Sequence, residues 1–164
     1  MWKITQPFPS DRIEDKTKGV FAEIRHFVRN HMDIQHKIMI LVSMLWLHVA
    51  DDYYLQGTLA NLKQRSWWET NAPAPMYRHD YKAALIFHAF SWTCSIMLPA
   101  IILYFIGSIN PQFFVLSACI VFNTVVHAIV DDLKANKKTI NLIQDQLIHT
   151  IQIIITWIVC VLYA

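Results

Sequence analysis

The sequence predicts an all-α integral membrane protein, with a bundle of four membrane-embedded helices preceded by an amphipathic helix at the membrane surface. Hydrophobic residues make up 55% of the 164 residues and charged residues only 16%, against about 25% charged in ordinary soluble domains. No aspartate, glutamate, lysine or arginine occurs between Ala83 and Val130. This stretch fits two spans of about 20 residues each. Polar connectors separate it from two further apolar runs.

Residues 1–37 form the first predicted region, a polar tail followed by the amphipathic helix. From Val20 to Lys37, apolar residues recur near helical spacing, and the opposite face carries charged residues. His26, His31 and His36 are five residues apart and therefore point to different faces. They are interpreted as surface histidines rather than ligands.

Residues 38–164 form the predicted membrane-embedded domain. Its helices are expected at about residues 38–55, 83–106, 112–130 and 140–164. The second contains Pro99, which predicts a kink because proline removes a backbone hydrogen bond. The connector 56–82 contains Trp67 and Trp68, a residue type typical of the lipid headgroup region, and two prolines that end any helix there.

Basic residues are concentrated in the connectors 56–82 and 131–139, which together carry seven lysines and arginines. Positive charge is retained on the cytoplasmic side, so both connectors are predicted to be cytoplasmic in a bacterial inner membrane. The N-terminal segment also holds seven basic residues, which leaves open its orientation and whether helix 38–55 spans completely. The net charge of +2 and the lack of a basic stripe predict no nucleic-acid partner.

Three of the predicted helices carry a histidine and an aspartate four residues apart. The pairs are His48–Asp52, His127–Asp131 and Asp145–His149. Residues four apart share one face of a helix, and the order of the last pair is reversed. Antiparallel packing would therefore place the histidines at one depth and the aspartates at another. His88 in the second helix is predicted to join the histidine layer.

Imidazole and carboxylate groups are ligands that suit zinc, manganese or iron. The sequence therefore predicts a site for a divalent metal, with enough ligands for two ions. Zinc and manganese are the metals expected first. The predicted ligands are His48, Asp52, His88, His127, Asp131, Asp145 and His149. Asp51 or Asp132 is predicted to accept a proton, and Lys134 to bind a substrate phosphate or pair with a carboxylate. The alternative is that the pairs only form hydrogen bonds between helices.

The same residues carry a resemblance to a family. The segments HVADDYYLQGTLANLK, HAIVDDLK and DQLIH, with His88 between the first two, resemble an uncharacterised family of small bacterial and phage membrane proteins. Its motifs are HxxxD followed by an aromatic and LQ, a lone histidine, HxxxD with a downstream lysine, and DQxxH. The resemblance covers about residues 44–150. It marks His48, Asp52, Gln56, His88, His127, Asp131, Lys134, Asp145, Gln146 and His149.

The resemblance implies a small membrane protein and a set of site residues, but the function of that family is unknown, so it implies no reaction. Gln56 and Gln146 are interpreted as hydrogen-bond partners of the ligands rather than as ligands. Tyr53 takes the aromatic position of the first motif, and Asp51 is an additional acidic residue. The pattern is also similar in style to membrane-embedded metal-dependent hydrolases.

These observations predict a metal-dependent hydrolase that acts at one membrane face on a small-molecule, lipid-linked or phosphate-containing substrate. Membrane lipids are its expected surroundings, and the oligomeric state stays open. A small transporter or proton relay using the same layer is an alternative. The nearly apolar far halves of the last three helices favour a one-sided site over a relay. A phage membrane protein that binds a host partner is a further alternative.

Overall fold

The computed structural model describes residues 16–24 and 33–162, and within these ranges every regular element is helical. Helical residues 16–24 form α1. The later helices are α2 (Ile34–Ala50), α3 (Leu59–Leu62), α4 (Arg65–Asn71), α5 (Asp80–Phe105), α6 (Phe113–Ala135) and α7 (Leu142–Trp157). π-Helical turns extend α2 through Asp51–Leu55 and α7 through Ile158–Leu162, and the 3-10 turn Pro75–Tyr77 precedes α5.

Four of these helical stretches are long and apolar enough to cross a membrane. They are Ile34–Leu55, Pro75–Phe105, Phe113–Ala135 and Leu142–Leu162. The all-α class and the four long apolar helices are therefore confirmed. Their outer faces carry many exposed large apolar side chains, as expected of helices that face lipid.

The first long helix begins at Ile34, four residues before its predicted start. Asp33 caps it, because its Oδ1 accepts hydrogen bonds from the backbone N–H groups of Gln35 and His36, both at 3.1 Å. These bonds, those with His36 above all, lower the pKa of Asp33. The end of the predicted surface helix thus belongs to α2. His36 is exposed, while His26 and His31 lie outside the described residues.

The connector between the first two long helices contains two short helices, α3 and α4, and not only the irregular chain predicted there. Gly57 has a φ of +50°, a left-handed conformation that glycine adopts without steric cost, and it turns the chain between α2 and α3. Trp68 donates its indole N–H to the carbonyl oxygen of Leu62 at 2.7 Å and stacks on Tyr77. The connector is therefore packed against itself.

α5, α6 and α7 also differ in length from the prediction. α5 is a single helix of 26 residues that continues through Pro99, and the kink predicted there stays a prediction. α6 continues to Ala135, so the acidic residues assigned to the start of the connector are helical. α7 begins at Leu142, after Asn141, whose side chain and that of Gln144 form a reciprocal capping box.

Hydrogen bonds tie the chain together at both ends of the bundle. At one end, the Lys37 ammonium donates to the carbonyl oxygen of Leu162 at 3.0 Å, which ties the start of α2 to the end of α7. At the other, Asn136 accepts from the backbone N–H of Arg65 and donates to the carbonyl oxygen of Lys63. We call this second end, where α3, α4 and the α6–α7 turn meet, the connector end.

An apolar core fills the half of the bundle away from the connector end. Its buried members are Met44, Trp92, Ile96, Met97, Ala100, Ile109, Leu116, Ile153, Trp157, Cys160 and Val161. A buried polar group interrupts the contact between α6 and α7. Asn123 donates to the Thr156 hydroxyl at 2.8 Å, and Gln152 donates to the carbonyl oxygen of Asn123 at 2.8 Å. These two helices are therefore less apolar inside than their sequences suggested.

Replacing Asn123 with alanine is expected to lower the free energy of unfolding by about 1 kcal/mol, because it removes hydrogen bonds between α6 and α7 within an apolar bundle. The matched control is Val121→Ala on the same helix, since Val121 is 64% exposed. Unfolding of the purified protein in mixed detergent micelles measures both. Equal stability of the two variants would show that the polar group does not hold α6 against α7.

Candidate metal centre

The predicted histidines and aspartates meet inside the bundle near the connector end. α2 and its π-helical turn provide His48 and Asp52, α5 provides His88, α6 provides His127 and Asp131, and α7 provides Asp145 and His149. All seven side chains are buried, and four of them are completely inaccessible to solvent. The four-residue spacing and the antiparallel directions of the helices bring these side chains together, as the sequence predicted.

Four ligand atoms converge around His88. Its Nε2 lies 3.2 Å from His127 Nε2, 3.5 Å from Asp52 Oδ1 and 3.4 Å from Asp131 Oδ2. His127 Nε2 lies 4.0 Å from the same oxygen of Asp52 and 3.8 Å from that of Asp131. Ligands bound tetrahedrally at 2.0–2.2 Å are separated by about 3.3–3.6 Å. Asp52, His88 and His127 therefore form a group of three that could hold a metal ion, and Asp131 Oδ2 lies near both histidine nitrogens.

A second group shares residues with the first. It consists of His127, Asp131 and His149, each of which offers one ligand atom. Asp131 turns Oδ2 toward His88, while its Oδ1 lies 3.9 Å from His149 Nε2. Asp131 therefore offers one oxygen to each group, and either group could hold an ion. His48 and Asp145 belong to neither group.

Several buried atoms at the site have no hydrogen-bond partner within the described ranges. They include Nδ1 of His88, His127 and His149, Nε2 of His149, and Oδ1 of Asp145. A buried polar atom left without a partner costs about 1–3 kcal/mol. His149 Nε2 and Asp145 Oδ1 lie 3.4 Å apart, so a proton or a cation between them would satisfy both.

Lysines neutralise part of the buried acidic charge. Lys63 Nζ lies 2.6 Å from Asp131 Oδ2, and Lys134 Nζ lies 2.6 Å from Asp145 Oδ2. The buried carboxylates are Asp51, Asp52, Asp131 and Asp145. With the histidines neutral, two negative charges remain, and uncompensated charge in an apolar interior is costly. One divalent cation would balance them, as would two protonated histidines.

Trp92 orders the imidazole rings. Its indole N–H donates to His48 Nδ1 at 2.8 Å, and its ring stacks on that of His127 with centroids 4.1 Å apart. His127 stacks in turn on His149, also at 4.1 Å. His48 Nδ1, the nitrogen that lies 3.5 Å from Asp52 Oδ2, is therefore already the acceptor of the hydrogen bond from Trp92. His48 therefore supports the site from outside both ligand groups.

Sequence reasoning missed Trp92 and Lys63. Trp92 lies four residues after His88 and so on the same helical face, which was an available signal. Lys63 lies within the first segment that resembles the uncharacterised family but was assigned to the basic connector. Its contact with Asp131 spans 68 positions of the chain, and no local pattern encodes a contact of that kind.

Asp51, Asp132 and Lys134, the residues predicted to act beside the metal, differ in burial and in their partners. Asp51 is buried beside α5, whereas Asp132 is partly exposed and accepts a hydrogen bond from Asn136. Lys134 pairs with Asp145, which was one of its two predicted roles. Among the described residues, neither Asp51 nor Asp132 joins a ligand group.

Gln56 and Gln146 also differ in their hydrogen-bond partners. Gln146 donates to Asp52 Oδ2 at 3.3 Å and to Asp145 Oδ2 at 3.1 Å, as expected of a hydrogen-bond partner of ligands. Gln56 instead donates to the backbone carbonyl oxygen of Asp52 within its own helical turn. Gln146 thus links the carboxylates of α2 and α7.

Over residues 16–24 and 33–162, the fold and the site define an all-helical structure with four helices long and apolar enough to cross a membrane and a buried His/Asp cluster that could hold a metal ion. Comparison with protein-family models, curated proteins and solved structures gives no match. The resemblance to the uncharacterised family therefore stays a prediction, and function is argued from the geometry.

Two lysine–aspartate pairs near the connector end allow a direct test of the buried charges. Lys63→Met is expected to lower the free energy of unfolding by about 3 kcal/mol, because it leaves Asp131 buried without its cation. Lys137→Met should change it by less than about 1 kcal/mol, because Lys137 is 60% exposed and its partner Asp132 is also accessible. Unfolding in detergent with a chelator present measures both, and equal losses would contradict the role given to Lys63.

Proposed function

We propose that this protein is a membrane-embedded, metal-dependent hydrolase that holds a divalent cation between Asp52, His88, His127 and Asp131. The observation that carries this proposal is the convergence of ligand atoms from three helical segments: the Nε2 atoms of His88 and His127 lie 3.2 Å apart, and each lies 3.4–4.0 Å from a carboxylate oxygen of Asp52 and of Asp131. With the histidines neutral, the buried carboxylates leave two negative charges for the cation to balance. The mixed nitrogen and oxygen ligands favour zinc or manganese.

Lys63 is compatible with a metal ion at the same carboxylate. An ionised carboxylate offers about four lone-pair positions on its two oxygens, so Asp131 can accept the Lys63 hydrogen bond and bind a cation as well. Lys63 would then orient Asp131, as hydrogen-bond partners of metal ligands usually do. Gln146 provides the corresponding bond to Oδ2 of Asp52 and leaves Oδ1 directed at the histidines.

Hydrolysis is the reaction that suits this site. A divalent cation bound by histidines and carboxylates lowers the pKa of a bound water and polarises a phosphoryl or carbonyl oxygen. The neighbouring group around His149 offers a place for a second ion or for the attacking water. The unpaired Nε2 of His149 and Oδ1 of Asp145 lie within that region and can accept or hold the proton of the water.

The two lysines favour a substrate that carries phosphate. Both ammonium groups bind carboxylates at the edge of the ligand groups, and the Lys134 side chain is 34% exposed at the connector end. Ammonium groups form strong charge-assisted hydrogen bonds with phosphate oxygens. A site near the end of an apolar bundle lies at the depth of lipid headgroups, so a lipid-linked phosphoester is the substrate class that we propose.

The proposed location is a bacterial inner membrane with the connector end on the cytoplasmic side. The four long helices support insertion, because their outward side chains, such as Trp46, Phe87, Phe114 and Ile143, are large, apolar and exposed. The excess of lysine and arginine in the two connectors supports the orientation.

Metal binding is the first test. The purified protein is expected to hold one or two zinc or manganese ions per chain, measured by elemental mass spectrometry after dialysis. His88→Ala and Asp52→Asn should weaken binding by on the order of 100-fold or more, since each removes a ligand. His79→Ala is the control, because His79 is exposed in the α4–α5 connection. A wild-type protein that folds but binds neither metal would refute the proposed site.

Activity tests the substrate class. With dioctanoyl phosphatidic acid in mixed micelles, Lys134→Met is expected to raise KM by about 10-fold, because it removes a charge-assisted bond to phosphate. Lys134→Met also leaves the buried Asp145 without its cation, so KM is compared between samples with equal folded fractions. Metal content should not change, and Lys134→Arg should recover part of the loss. Lys137→Met, which removes an exposed charge three residues away, should behave as wild type. Metal-loaded protein without phosphatase activity would count against hydrolysis of this class.

A second candidate function is a small ion or proton relay, and the polar group between α6 and α7 favours it. Asn123 lies one helical turn from His127 and binds Gln152 and Thr156, so polar side chains continue from the cluster toward the middle of the bundle. Proton flux into proteoliposomes, lost in Asn123→Leu while hydrolysis is retained, would favour the relay. Absence of flux in the wild type would exclude it.

A further inference from the structure

Asp51 is a buried carboxylate that the proposed ligand set does not use. Its residue is only 1% exposed, and among the described residues no lysine or arginine pairs with it. Its Oδ1 accepts hydrogen bonds from the hydroxyl groups of Ser95 at 2.8 Å and Ser91 at 3.3 Å. The serines lie four residues apart on α5, so one face of that helix holds the carboxylate in a fixed direction.

The other oxygen of Asp51 points toward His88. Asp51 Oδ2 and His88 Nδ1 are 3.9 Å apart, and each is buried without a hydrogen-bond partner within the described part of the chain. A ring N–H and a carboxylate oxygen form a hydrogen bond at 2.7–3.2 Å. A movement of about 1 Å would therefore satisfy both atoms at once. His88 is completely buried, so solvent cannot supply the alternative partner.

The two nitrogens of His88 face opposite partners. Nε2 lies among the atoms of Asp52, His127 and Asp131, while Nδ1 faces Asp51 across the ring. A hydrogen bond from Nδ1–H to a carboxylate keeps the proton off Nε2, which leaves the Nε2 lone pair free for a metal. It also fixes the plane of the ring and makes the imidazole a stronger ligand.

We propose that Asp51 is the positioning residue of the metal centre and acts through His88, with Ser91 and Ser95 holding its carboxylate in place. This inference rests on the proposed metal site and adds a residue to it. It replaces the role of proton acceptor that the sequence suggested for Asp51, because that carboxylate faces the side of the imidazole ring away from the ligand atoms.

The test compares metal affinity in full-length protein purified in detergent. Asp51→Asn keeps the size of the side chain and is expected to weaken zinc binding by about 10–100-fold, the usual effect of removing such a partner. Ser95→Ala should weaken it in the same direction and by less. Asp132→Asn is the matched control, because Asp132 is an aspartate beside a ligand that turns toward Asn136 instead. Asp132→Asn should bind zinc as wild type does.

A spectroscopic measurement separates positioning from a merely structural role. In protein with 15N-labelled histidine, the zinc-bound wild type should show His88 with its proton on Nδ1 and a strongly hydrogen-bonded N–H signal. His88→Gln identifies that signal. Asp51→Asn should weaken or remove the signal while the protein stays folded. If Asp51→Asn does not fold, the Ser91→Ala, Ser95→Ala double variant replaces it, with the same expected loss of affinity and signal.

The outcomes distinguish this inference from the proposed function. A folded wild-type protein that binds no zinc or manganese overturns the metal site and the role of Asp51 together. A wild type that binds zinc, with Asp51→Asn or the double serine variant binding it within about twofold, overturns the role of Asp51 alone and leaves the metal site standing.

Discussion

The constraint on which the site depends is the burial of four carboxylates and three inaccessible histidines within an apolar helical bundle. Charge in such an interior must be paired or must bind a cation. Lys63 and Lys134 pair with two of the carboxylates, Gln146 bridges between helices, and two negative charges remain. The proposed cation would complete this charge balance, so metal binding would also stabilise the connector end.

A small number of helices is enough to bring the histidine and aspartate side chains together. Pairs four residues apart turn one face of each helix inward, and antiparallel neighbours bring those faces to a common depth. Trp92 then fixes the rings, because it stacks on His127 and hydrogen-bonds to His48. The connector that carries Lys63 closes the end of the bundle over Asp131. Lys134, which pairs with Asp145, remains partly exposed at the same end.

Much of this arrangement could be predicted. The four apolar helices follow from hydropathy, and the approach of His127, Asp131 and His149 follows from helical spacing and the reversed order of the last pair. Two further members of the predicted ligand set, His48 and Asp145, have other partners in the structure. His48 has the spacing of a ligand but accepts a hydrogen bond from Trp92, and Asp145 pairs with Lys134 outside both ligand groups.

The sequence by itself determined the all-α class, the number of long apolar helices and the layer at which histidine and aspartate gather, because these follow from periodicity and hydropathy along one chain. Only the tertiary structure decided which atoms face one another. It turned Asp51, which precedes the ligand Asp52, toward His88, and it turned Asp132, which follows the ligand Asp131, toward Asn136. It also brought Lys63 to Asp131. Such contacts depend on the packing of helices distant in the chain, which local spacing does not encode.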